Sequence, residues 1–78
     1  MPRKLPVVSG QKVCQALNKV GFEHKRTKGS HVLLKKESNP KNLIVTIPLH
    51  KEIKLGTLNS ILKQADISLE EFLILLKK

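Results

Sequence analysis

Three histidines, His24, His31 and His50, are the only side chains in this 78-residue chain that ordinarily titrate near neutral pH. His31 stands in the stretch R-T-K-G-S-H-V-L-L, residues 26–34, directly after a glycine–serine turn and at the head of an apolar run. RNA carries its own nucleophile, the 2′-hydroxyl. Cutting it needs little beyond a base for that proton, an acid for the leaving oxygen and cations for the charge that builds on phosphorus. One histidine and a few basic side chains suffice. Arg26 and Lys28 place cations beside His31, Gly29 lets a phosphate approach the backbone, and the successive amides of Gly29 and Ser30 can form an anion-binding nest.

The residues alone leave other uses open. From its position, the simpler reading of His31 is a solvated residue at a strand's start. His50 follows Pro48 in the basic loop L-H-K-E-I-K-L, residues 49–55, where it serves either as a second acid or base or as a hydrogen bond that fixes the loop. His24 shares strand parity with Phe22 and is expected to be partly buried and structural. A metal held by all three histidines is disfavoured, because no pair has helical ligand spacing and no carboxylate lies near His31 in sequence. No metal and no cofactor is therefore expected.

Composition narrows the class further. A chain this short is expected to form one domain, residues 1–78, with a thin core and no deep pocket for a large cofactor. Cys14 is the single cysteine, which excludes an internal disulfide and a cysteine-based metal site. It reads as a small core residue, not a nucleophile. The stretch I-S-L-E-E-F-L-I-L-L, residues 67–76, is too short and too charged to span a bilayer, and the N-terminus has no apolar export signal. A cytoplasmic protein without a membrane partner is the expectation. Fifteen lysines and arginines against six acids give a formal charge of +9, which favours a polyanionic partner through counterion release. With only Phe22 and Phe72 as aromatics, both in apolar patterns, the stacking platform of many single-strand binders is missing. Weak sequence specificity follows.

These residues need elements to hold them. Residues 1–8, with Pro2 and Pro6, read as an extended arm. Ser9 caps a helix predicted over 10–20, with Val13, Leu17 and Val20 on one face and Gly21 as its stop. Three strands follow at 22–27, 31–36 and 43–47, joined by Lys28-Gly29-Ser30 and by residues 37–42, with Pro48 ending the third. A second helix runs from about Gly56 or Thr57 to Ala65, closed by Asp66 in a position usually taken by glycine. A third opens at Ser68 with a capping-box pattern, S-L-E-E, and buries Leu69, Phe72, Leu73 and Leu76. The order predicts an α+β fold with all helices on one face of the sheet, leaving Arg26, Lys35, Lys36 and Thr46 to line the other face or its edge.

The motifs together resemble HicA-type toxins of HicA–HicB toxin–antitoxin systems. The likeness runs through S-G-x-x-V-x-x-A-L at 9–17, G-F-E at 21–23, R-x-x-G-S-H at 26–31, V-x-I-P-x-H at 45–50, G-T-L-x-x-I-L at 56–62 and the closing helix. It implies a fold like a double-stranded-RNA-binding domain and a metal-independent ribonuclease acting on messenger RNA. His31 is then the catalytic residue, with Arg26, Lys28, Gly29, Ser30, Lys35 and His50 toward the RNA. It also implies a HicB-type antitoxin that covers the active site, with the toxin a monomer when free and a hetero-oligomer when bound. Asp66 and the pair His24–Lys25 depart from the usual pattern, the latter adding charge near His31. Two other readings stay open: a non-catalytic RNA-binding module of the same fold, and an interaction protein whose basic face meets an acidic partner.

Overall fold

The structure, a computed structural model, describes residues 7–39 and 41–77. Its elements run α1 (Gly10–Asn18), β1 (Glu23–Lys28), β2 (His31–Lys36), β3 (Leu43–Pro48), α2 (Leu55–Ala65) and α3 (Leu69–Lys77). The strands form one antiparallel sheet in the order β1-β2-β3. This α+β arrangement is compatible with a double-stranded-RNA-binding-domain-like fold. Of the expected arm, residues 1–6 lie outside the described residues; Val7 is exposed and Val8 is buried.

Local chemistry accounts for most element ends. Ser9 keeps an extended backbone, and its Oγ accepts the Lys12 amide at 3.2 Å, satisfying one donor of the first turn of α1. That helix stops at Asn18, two residues before the expected end. The amides of Lys19, Val20 and Gly21 donate to the carbonyls three residues back, so the last turn tightens. Asp66 closes α2 in the left-handed region (φ 57°, ψ 42°), as expected from its place after Ala65. Ser68 Oγ accepts the Glu71 amide at 3.1 Å and so caps α3. Pro48 lies within β3 instead of ending it. As the last residue of an edge strand, it removes no ladder donor by lacking an N–H.

One face of the sheet supplies Val32, Leu34, Val45 and Ile47 to a core shared with Val13, Leu17, Phe22, Leu58, Ile61 and Phe72; among the described residues no polar side chain is buried. The helices pack chiefly on β3 and on one another. This leaves every residue of β1 exposed, which corrects the expectation for His24. Its side chain has the inward parity of its partner Leu34, but no helix covers that edge. In α3 the buried residues are Phe72 and Leu75, with Leu73 only half-buried, so the stripe is rotated from the expected one.

Candidate nucleic-acid interface

A bulge in β1 sets which cations share the face of His31. Lys28 pairs with His31 and Arg26 with Leu33, but His24 pairs with Leu34, so Lys25 is an extra residue between them. Bulges of this kind re-aim side chains next to functional sites. Continued across β3, the register produces three outward rows: Lys28, His31 and Pro48; Arg26, Leu33 and Thr46; Glu23, Lys35 and Ile44. Opposed side chains in such rows are close neighbours.

The first two rows enclose a shallow depression of about 240 Å³, lined by Arg26, Lys28, His31, Val32, Leu33 and Thr46. None of these is a carboxylate. Two cations, an imidazole and a hydroxyl therefore surround an apolar floor, an arrangement that attracts phosphate and leaves His31 free to exchange a proton with a bound group. Among the described residues, the side chains of His31, Arg26 and Lys28 make no hydrogen bond or ion pair. On the sheet face Glu23 stands in the third row, two rows from His31 and next to the row of Arg26, and meets Lys25 at 3.5 Å in an exposed pair of little energetic weight.

The hairpin turn is built for its place. Gly29 has φ 59° and is the first of two turn residues, where a primed turn takes glycine. Both Gly29 and Ser30 are exposed beside His31, and a Cβ at Gly29 would meet nothing within 4 Å. Lys35 is half-buried on the same sheet face, beyond the depression. Lys36 is not on that face: it has inward parity, and its Nζ stands 5.9 Å from the Phe22 ring centroid.

The three histidines are not gathered. His24 Nε2 lies 2.6 Å from Thr27 Oγ1 on the exposed edge strand, and among the described residues no group of three potential metal ligands comes together. His50 is exposed in the loop after β3 and does not line the depression. Its backbone is nonetheless fixed: its carbonyl accepts the Gly10 amide at 2.9 Å, while the adjacent Leu49 amide donates to the Ser30 carbonyl at 2.6 Å. This junction was missed in the sequence, although Ser9-Gly10 at a helix start is its visible trace. Leu33 was also missed as a site residue, and its break in strand alternation was the signal. Cys14, expected as a small core residue, is half-buried against the core, and burial pushes its thiol up from its ordinary value.

A family model described as HicA toxin of bacterial toxin-antitoxin matches residues 10–67, from the first residue of α1 to the segment after α2. The chain belongs to the HicA toxin family. Among curated proteins none matches the chain. Membership makes this HicA chain one half of a toxin–antitoxin pair, so an antitoxin partner is implied. The matched stretch holds the whole depression and the Gly10–His50 junction but not α3. Among the described residues, no helix is long and apolar enough to cross a membrane.

Proposed function

We propose that this HicA toxin is a metal-independent endoribonuclease that cuts messenger RNA at the outer sheet face, acts in the cytoplasm and is silenced by a HicB-type antitoxin covering that face. The observation that carries the reading is the row pair Lys28–His31 and Arg26–Leu33–Thr46, enclosing an acid-free depression on the side of the sheet away from the helices. His31 moves one proton, either taking it from the 2′-hydroxyl or giving one to the departing 5′-oxygen, and solvent water carries the other. The 2′-oxygen bonds to phosphorus, the bond to the 5′-oxygen breaks, and a 2′,3′-cyclic phosphate or its hydrolysis product remains. Lys28 and Arg26 stabilise the charge on the phosphorane, and the amides of Gly29 and Ser30 bind a phosphate oxygen. Lys35 and His50 extend the phosphate track beyond the depression. The site needs no cofactor in this scheme.

One observation favours a second reading, a non-catalytic RNA-binding module. The depression holds a single imidazole and no carboxylate, so neither a second histidine nor an acid side chain stands beside His31 to share the proton transfer. Incubation with single-stranded RNA in excess EDTA separates the two. Under the nuclease reading the wild type cuts, and His31→Ala lowers cleavage by about 10²–10⁴-fold, the usual contribution of one acid–base group. His50→Ala then reports whether the second histidine shares the proton transfer. Salt-sensitive binding without cleavage by any variant leaves the binding module in possession.

A further inference from the structure

A larger concavity than the one at the histidine face lies elsewhere on the molecule. It has a volume of about 500 Å³ and lies between the segment leading into α1, α1 itself and the last turns of α3. Val8, Ala16 and Leu75 form a buried floor, and Leu73 and Leu76 a half-buried wall. Lys12, Lys19 and Lys77 stand around it, and no carboxylate lines it among the described residues. Lys19 Nζ donates to the Leu75 carbonyl at 2.9 Å, joining the two helices and satisfying one last-turn carbonyl of α3. The groove belongs to the helical layer, whereas His31 points from the opposite face of the sheet. Most of its lining falls outside the stretch that matches the family, residues 10–67.

We propose that the α1–α3 groove docks an acidic amphipathic helix of a protein partner, on the layer opposite the histidine face. Its apolar floor suits side chains projecting at i, i+3, i+4 and i+7 from one helix. Its cationic rim selects carboxylates beside that apolar stripe and disfavours cations. Charge separates this occupant from the alternatives. A second copy of the chain carries a formal +9, and the leading residues M-P-R-K-L-P bring two further cations, Arg3 and Lys4, so repulsion acts against both. A partner held here leaves the depression around His31 open. The inference therefore does not rest on RNA cleavage.

The test uses the full ¹⁵N-labelled chain and a synthetic helix-forming peptide of about 16 residues, roughly four turns, with leucines on one face and glutamates on its flanks. A scrambled peptide and a lysine-for-glutamate peptide are the controls. Amide shifts on binding are expected in α1 and α3 and not along β1 or β2, with neither control binding. Leu73→Glu weakens the complex by about tenfold or more, since the groove wall loses a half-buried leucine and gains a carboxylate facing the peptide's glutamates. Gln15→Glu, on the exposed rim, leaves the fold intact and weakens it several-fold at low salt, a loss that shrinks as salt screens the charges. Added RNA leaves the peptide shifts in place. Shifts on the sheet face, equal binding of the scrambled peptide or indifference to both substitutions would overturn the proposal. So would concentration-dependent shifts of groove amides without peptide, which place a second copy there, or nuclear Overhauser contacts from residues 2–5 to Leu73, which place the chain's own leader there. None of these outcomes depends on whether RNA is cut.

Discussion

Replacing Gly10 with alanine adds one methyl group where the backbone of another element already stands. A Cβ there would lie 2.0 Å from the Pro48 carbonyl oxygen and 2.9 Å from Leu49 Cα, inside the 3.0 Å that real Cβ contacts essentially never breach. Both neighbours are backbone atoms and cannot rotate away. The end of β3 would have to retreat by about 1 Å, straining packing by roughly 1–3 kcal/mol. The retreat also loosens the bond from the Gly10 amide to the His50 carbonyl, worth about 0.5–1.5 kcal/mol. Against this, alanine is better than glycine in a helix by about 0.5–1 kcal/mol. A net loss of about 2 kcal/mol follows, and in a domain this small each kcal/mol moves the melting temperature by about 4–8 °C. Thermal melting followed by circular dichroism should therefore show Gly10→Ala about 8–16 °C below wild type. Gly56→Ala is the control: it adds a methyl group at an exposed position in the first turn of α2 with nothing within 4 Å, so it should be neutral or stabilising. Hydrogen exchange adds a local readout, since the Leu49 amide bonded to Ser30 should lose protection in Gly10→Ala. Equal melting of the two variants, or a Gly10→Ala midpoint within about 3 °C of wild type, would refute the close-contact argument.

Asp66→Gly should raise stability by about 0.5–1 kcal/mol, read from urea denaturation, because φ 57° strains a residue with a Cβ and glycine relieves it at some entropic cost. Cys14 should react with iodoacetamide more slowly in the folded chain than in urea. Burial raises its thiol, so the unfolded chain ionises first and stability falls as pH rises past the ordinary value of 9.0; a rise over that range would contradict the sign. For RNA binding, Lys28→Ala should reduce the salt dependence of log K by about 0.7, the increment of one phosphate contact to a single strand. Lys36→Ala, on the inner side of β2 over Phe22, should leave that slope unchanged while lowering stability by about 0.5–1 kcal/mol through the lost cation–π contact. The same slope change from both lysines would remove the distinction between the two sheet faces.

What was legible in the sequence was what neighbours in the chain decide among themselves. A hydroxyl at Ser9 or Ser68 caps the turn that follows it, apolar residues three and four apart share a helix face, and a Gly-Ser pair reverses a hairpin. Hence the order of elements, the exposed His31 and the cations beside it could be read directly. The bulge at Lys25 could not, because an extra residue exists only relative to the strand it pairs with, and it is this bulge that places Arg26 opposite Leu33 while turning His24 toward the other face. His24 was expected to be partly buried; β1 is an edge strand on which every residue is exposed. In α3, Leu73 and Leu75 are equally apolar, and the rotation of the helix against α1 and α2 chose Leu75 for the core and left Leu73 on the groove. Gly10 looked like one more helix residue until the end of β3 arrived 2.0 Å from where its side chain would be. Each of these depends on distances between elements remote in sequence, which no local preference encodes; chain packing supplies them.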